Sequence, residues 1–373
     1  MMTTKPIGLY VHIPFCVRKC NYCDFCSFDA LTADWRERYI DALVAEIKLY
    51  CEKCVSVDSI FFGGGTPSLL TPNEFRRINE AIRSTFLVTS DCEFTVEANP
   101  GTVNEEILDC FVDCGVNRLS IGLQSIHENE LKTLGRIHNL NNFMNSFYLA
   151  RRAGINNINV DLMYGIPEQT KESFSETLDA ITALSPEHIS LYGLIIEEGT
   201  PFFDWKNNLS LPAEDDECDM YYFAADYLRD RGFVHYEISN YAKPGYECRH
   251  NLKYWRCEEY IGAGISAHSY YDSKRYGNST VVNEYLSDFQ TKKEAETLDC
   301  EEKAYEYVML RLRLKEGFSL VEYKNLFGKD FLATRYSEIQ ELCKNGYVII
   351  DNDRISLTEK GFYVSNIILS DLL

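Results

Sequence analysis

The sequence predicts an α/β protein: a partial parallel (βα)6 barrel, then a covering strand-and-loop segment, then a small winged-helix-like domain. Three observations predict it. Strand-like and helix-like patterns alternate six times at intervals of about thirty residues, the rhythm of βα units. Cysteines, glycines or polar residues follow the C-terminal end of one strand after another, on the face where parallel sheets build their sites. The texture of the chain also changes twice, near residue 232 and near residue 298.

The predicted strands are 8–13 (GLYVHI), 59–64 (SIFFGG), 93–98 (EFTVEA), 118–123 (RLSIGL), 157–165 (NINVDLMYG) and 188–195 (HISLYGLI). Amphipathic helices are predicted between and after them, near 34–50, 73–85, 104–113, 139–152, 171–183 and 215–231. A cysteine loop follows the first strand, GGTPS the second, EANP the third and QS the fourth, and the fifth carries Asp161 and ends in YGIP. A doubly wound sheet and a full or partial barrel both suit this order. Contributions from five strands to one face favour a curved sheet around a shared pocket. Residues 1–232 are assigned to this barrel. Residues 233–297, rich in aromatics and glycine and without a clean helical period, form the covering segment. Residues 298–373 begin with short helices at 302–314, 319–325 and 333–345 and end in two strands about an IDNDRI turn, a winged-helix pattern.

Composition narrows the function. The chain has 373 residues, 45% hydrophobic and 25% charged, as an ordinary globular protein does. Its net charge of −20 opposes nucleic acid as a main partner. The C-terminal region agrees, with ten basic against twelve acidic residues from 301 to 373, so a packing or docking role is expected there. No eighteen-residue apolar run predicts a membrane span, and no signal peptide is recognised at the start. Fourteen cysteines without an export signal point to a reducing, cytoplasmic setting, where clustered thiols are metal ligands or catalytic groups more often than disulfides.

The cluster is CVRKCNYCDFC, with Cys16, Cys20, Cys23 and Cys26 within eleven residues. A structural zinc site takes four ligands, usually from paired C-x2-C knuckles. The C-x3-C spacing breaks that pattern, although Cys26 or His12 could supply a fourth ligand. Three thiolates on a cubane iron–sulfur cluster would leave one iron open, the logic of a catalytic metal site. Phe15, Tyr22 and Phe25 would shield such a cluster from water.

CVRKCNYC after a first strand and GGGTPS after a second resemble the radical S-adenosylmethionine superfamily. LYVHIPFC, FFGGGTPS, VEANPGT, RLSIGLQS, LGRIH and VDLMYGIP, in that order, resemble one family within it. That family is oxygen-independent coproporphyrinogen III oxidase and its heme-chaperone relatives, and the resemblance covers about residues 7 to 345. It implies a [4Fe-4S] cluster on Cys16, Cys20 and Cys23, S-adenosylmethionine on the open iron, and radical chemistry supplied by that pair. It also implies an electron donor as partner.

For S-adenosylmethionine, the resemblance points to Gly64, Gly65 and Thr66 near the methionyl amino group, and to Glu97. Gln124 can exchange hydrogen bonds with ribose hydroxyls, and Arg136 offers a planar fork for a carboxylate. Asp161, inside an apolar strand, calls for a partner or ligand. Tyr10 and Tyr22 are placed to pack against the nucleoside.

Two functions from different classes fit. One is an oxidase that decarboxylates two propionates of coproporphyrinogen III. The other is a chaperone that keeps the cluster, binds heme or a porphyrin and hands heme to an acceptor protein, so whether the chain is an enzyme stays open. Three features lean toward the chaperone. The oxidases resemble C-x3-C-x2-C-x-C, and Phe25 stands at that fourth place, with Cys26 one residue late. The oxidases carry several dozen residues ahead of the motif, whereas the first cysteine here is residue 16. HNLKYW at 250–255 resembles the H-N-x-x-Y-W signature of the chaperone branch, with His250 as an iron ligand and Tyr254 and Trp255 beside the macrocycle. A radical enzyme for another substrate is the third, blander reading.

Overall fold

The computed structural model describes residues 5–29, 32–51 and 54–372. Strands β1 (Ile7–Ile13), β2 (Ser56–Gly64), β3 (Leu87–Ala98), β4 (Arg118–Gln124), β5 (Asn157–Tyr164) and β6 (His188–Gly193) lie side by side in that order, all parallel. Helices α1 (Ala33–Lys48), α2 (Pro72–Thr85), α3 (Glu105–Asp113), α4 (Glu128–Thr133), α5 (Leu140–Arg152) and α6 (Lys171–Ala183) fill the connections, and α7 (Pro201–Trp205) and α8 (Glu214–Arg229) follow β6.

Alternation along each strand separates two chemistries. Leu9, Val11, Ile60, Phe62, Phe94, Val96, Leu119, Ile121, Ile158, Val160 and Ile189 are buried in the main core with the apolar faces of the helices. The residues between them, Phe61, Glu97, Ser120, Asp161 and Ser190, point the other way and line an internal cavity. Each apolar side chain contributes about 1.5–3 kcal/mol by leaving water, so a one-residue slip that turned the row inward would be strongly unfavourable. Local signals start the helices: Thr32 accepts from Trp35 N–H on α1, and Thr71 forms a capping box with Glu74 on α2.

β2 and β3 begin earlier than the sequence predicts. Their first turns carry Asp58, Thr89, Ser90 and Asp91, which blur the alternation, but the β2–β3 ladder still pairs Ser56 with Leu87.

The segment after residue 232 does its covering from the edges of the sheet. β7 (Val234–Glu237) and β8 (Asn240–Ala242) join beside β6; β9 (Tyr260–Ala263) pairs parallel to β1, followed outward by β10 (His268–Tyr271), β11 (Lys274–Gly277) and β12 (Lys293–Thr297). Two helices lie in this segment, α9 (Arg249–Trp255) and α10 (Val282–Ser287). HNLKYW was expected among strands and loops and is instead α9. Its cap is tertiary: Glu93, on β3, accepts from the Arg249 and His250 backbone N–H groups at 3.1 Å each, so no local capping residue announces the helix.

The C-terminal region holds α11 (Cys300–Arg311), β13 (Phe318–Ser319), α12 (Leu320–Phe327), α13 (Phe331–Thr334), α14 (Tyr336–Lys344), β14 (Val348–Asp351), β15 (Arg354–Leu357), α15 (Glu359–Tyr363) and α16 (Ser365–Leu372). Its three strands form an antiparallel sheet in the order β13-β15-β14, with Asn352 at φ 53° in the hairpin turn. It packs on the barrel: Ile238 N–H donates to Arg313 O at 2.9 Å, Lys315 N–H donates to Tyr236 O at 3.0 Å, and His235 Nδ1 meets Glu359 Oε1 at 2.5 Å. Among the described residues no helix is long and apolar enough to cross a membrane.

Candidate functional site

β1 runs directly into the cysteine loop, which is pinned at several points. Phe28 N–H donates to Pro14 O at 2.8 Å and Cys16 N–H to Phe28 O at 2.9 Å. Asn21 N–H donates to Leu134 O and its Nδ2 to Thr133 O, both at 2.9 Å, tying the loop to the turn after α4. Cys16, Cys20 and Cys23 thereby line one cavity of about 400 Å3. Among the described residues no three His, Cys, Asp or Glu side chains converge as a single ion would require. The three thiols instead share the cavity wall.

The two candidates for a fourth ligand are engaged elsewhere. Cys26 turns its thiol to Thr280 O at 3.8 Å, and its own carbonyl faces His12 Nε2 at 2.8 Å. His12 Nδ1 lies 3.0 Å from the Tyr10 hydroxyl, and burial lowers its pKa to about 4. His12 is a neutral bracket between strand and loop.

Tyr22, Gly64, Gly65, Glu97, Gln124, Arg136 and Asp161 line the same cavity. The glycines have an additional reason to lack side chains. A Cβ on Gly64, at φ +111°, would lie 2.5 Å from the His12 ring, and one on Gly65 2.7 Å from Phe15 O. Glu97 Oε2 accepts from Gly64 N–H at 3.2 Å. Burial, aided by the Asp161 charge, raises the Glu97 pKa to about 8, so at neutral pH it is mostly a neutral acid able to donate as well as accept. Asp161 accepts from Asn159 Nδ2 at 2.7 Å and from Ser120 Oγ at 3.1 Å. Gln124 sits at φ 75°, in the left-handed region, just past an irregularity in the β4–β5 register. Such backbone strain in a non-glycine residue on a cavity wall is typical of a side chain aimed at a ligand.

Arg136 reaches across the cavity. Its Nη2 donates to Asn99 Oδ1 at 2.8 Å and to Gly122 O, and its Nη1 to Cys20 Sγ at 3.5 Å. Tyr10 and Thr66 stand outside the main lining. Tyr10 is held by His12, and Thr66 accepts from Asn99 Nδ2 at 2.8 Å and borders a smaller adjoining cavity.

The structure does not bring His250, Tyr254 and Trp255 to this lining; Asn251 is their neighbour that reaches it. His250 is buried, with Nδ1 3.0 Å from Ser59 Oγ and Nε2 2.8 Å from the Tyr254 hydroxyl. Its ring stacks on Phe61, and burial lowers its pKa to about 3. Both ring nitrogens are bonded in this arrangement, so an iron would have to displace one of these partners. Among the described residues Trp255 Nε1 is buried without a hydrogen-bond partner.

Several lining residues escaped the sequence reading: Arg118, Ser120, Asn159 and Ser190, with Asn99 and Asn251. The signal was present. In RLSIGLQ and NINVDLM every second residue is polar or glycine up to Met163, and in a parallel strand a polar alternate face marks a lining rather than a second core.

The family model described as the radical SAM superfamily matches residues 10–181, and the HemN C-terminal domain matches residues 298–364. The heme chaperone HemW of Lactococcus lactis subsp. lactis is 36% identical, over 100% of this chain and 98% of that protein. The heme chaperone HemW of Escherichia coli K12 is 35% identical, over 99% and 98%. The chain belongs to the HemW family of radical SAM proteins. The structure of coproporphyrinogen III oxidase (HemN) from Escherichia coli, described as a radical SAM enzyme, superposes with a TM-score of 0.85 at 23% identity. It covers 98% of this chain and 90% of that one, and shows a shared fold. Radical SAM membership implies a [4Fe-4S] cluster and S-adenosylmethionine. The donor set fits them: three thiols on one wall, a fourth turned away, a guanidinium donating to one of the three sulfurs, and a strained Gln124 facing the same space.

Proposed function

We propose that this chain is a heme chaperone that holds a [4Fe-4S] cluster, S-adenosylmethionine and heme, and passes heme to an acceptor protein. The observation that carries the proposal is the gathering of Cys16, Cys20, Cys23 and Arg136 on one cavity in a chain aligned end to end with heme chaperones. One-electron chemistry is what such a cofactor pair supplies when bound.

The chain's own residues divide the remaining work. Cys16, Cys20 and Cys23 hold the cluster, and Arg136 places positive charge beside Cys20. Gly64, Gly65 and Thr66, with Glu97, receive the methionyl end, the neutral Glu97 acid adding no negative charge there. Gln124 and Asp161 receive hydroxyls, and Tyr22 closes one side against water; Tyr10 supports the wall through His12. Heme contact is assigned to α9, through His250, Tyr254 and Trp255. It requires His250 to exchange its bonds to Ser59 and Tyr254 for the ligand.

The test is anaerobic: reconstitute the cluster, then add heme and coproporphyrinogen III separately with reductant and S-adenosylmethionine. A Soret band with little turnover is expected. Efficient formation of protoporphyrinogen IX would replace the chaperone with the oxidase. His250→Ala is expected to weaken heme binding and spare the cluster; an unchanged heme titration removes His250 from the heme site.

A further inference from the structure

The cavity wall holds a charge whose donors no group among the described residues receives. Arg118 opens β4, is 2% exposed and lines the cavity, yet among the described residues its guanidinium has no hydrogen-bond partner, and Nε is fully buried. Its neighbours share that condition. Thr95 on β3 and Asn157 on β5 pair with Arg118 in register, so they face the same side, and each has a buried side-chain oxygen without a partner. Glu93 and Asp161 lend Arg118 a favourable field. Their hydrogen-bonding capacity goes elsewhere, Glu93 to the α9 backbone and Asp161 to Ser120 and Asn159. A buried guanidinium carries five donors in a fixed fork, and leaving them unmatched is among the costliest arrangements a protein interior can hold.

We infer that Arg118 receives a ligand carboxylate at the deep end of this cavity. The fork matches a planar carboxylate in bidentate geometry. The nearby Glu93 and Asp161 carboxylates disfavour a doubly charged phosphate. Arg136, expected to take a carboxylate, already engages both Nη groups, with Cys20, Asn99 and Gly122, and among the described residues only its buried Nε is left without a partner, so it no longer presents a free fork. The inference rests on the proposed ligands, both of which carry the group: S-adenosylmethionine its methionyl carboxylate, heme its propionates.

The experiment compares wild type, Arg118→Gln and Arg118→Lys after anaerobic reconstitution, with thermal melts to establish that each folds. Three arms are titrated: S-adenosylmethionine against its decarboxylated form, hemin against hemin dimethyl ester, and succinate followed by thermal shift. Arg118→Gln is expected to weaken one of the two natural ligands by about 10- to 100-fold, the scale of a lost charge-assisted pair. The carboxyl-free analogue should bind wild type and Arg118→Gln alike, and Arg118→Lys should recover part of the loss. If Arg118→Gln does not fold, Arg118→Lys carries the same comparison with a smaller loss. Loss in the first arm identifies the methionyl carboxylate, loss in the second the propionate. If wild type binds neither ligand, the proposed function fails, and the succinate arm alone decides the site. Affinities and succinate shifts independent of residue 118, or an equal loss for the carboxyl-free analogues, would overturn the inference and leave Arg118 a structural cation.

Discussion

The cysteine loop and α9 both present residues of the kind that bind metals and cofactors, and both border the inside of the barrel. They differ in commitment. The loop's backbone is tied down, but Cys16, Cys20 and Cys23 leave their thiols on the cavity wall. In α9 the side chains themselves are tied: His250 to Ser59 and Tyr254, and the helix start to Glu93. A rigid backbone whose thiols keep only long contacts, 3.5 Å from Arg136 to Cys20 and 3.9 Å between Cys16 and Thr66, is a site. A rigid backbone whose ligand-type side chain is engaged, as His250 is, is architecture until something displaces its bonds.

Removing the thiols should have the largest effect. Cys16→Ala, Cys20→Ala and Cys23→Ala should each abolish the cluster absorbance after reconstitution, while Cys26→Ala keeps it. Loss in Cys26→Ala as well would put the fourth thiol on the wall with the others. On the other side, His250→Ala should destabilise the protein by about 2–4 kcal/mol in urea, from the cavity and the orphaned Ser59 and Tyr254 hydroxyls. Cys16→Ala, half-buried, should cost less than about 1 kcal/mol without the cluster. Equal losses would erase the contrast.

Protonation gives a smaller effect. The Glu97 pKa is raised from 4.5 to about 8, chiefly by burial, so the folded chain holds a proton that the unfolded chain releases. Stability from this group is fully present below about 4.5 and is lost as pH rises toward about 8. Glu97→Gln should flatten that fall; Glu237, also raised to about 8, leaves a residual slope. An unchanged profile would mean Glu97 is ionised in the wall. Least of all, Tyr10→Phe removes the contact to His12 and should cost about 0.5–1.5 kcal/mol without altering cluster content.

The barrel was legible because its signals are local: apolar alternation, cap residues and motif-bearing strand ends. The thiols and most of the residues proposed for S-adenosylmethionine were legible through short motifs at strand ends and the family resemblance those motifs carry. α9 was not, since its cap comes from Glu93 on a distant strand, and aromatic content hid its period. Arg118 was passed over because a cation at the start of a strand looks like a solvated end. The alternation of RLSIGLQ does place it on the lining face, and the structure adds that its donors are unmatched beside Thr95 and Asn157.

Three thiols are expected to hold a cluster with one open iron. Mössbauer spectra of anaerobically reconstituted protein, before and after S-adenosylmethionine, test it most directly. About four irons per chain are predicted, one of them changing its parameters when the nucleoside is added. Bound zinc, or four irons indifferent to the addition, would contradict the account.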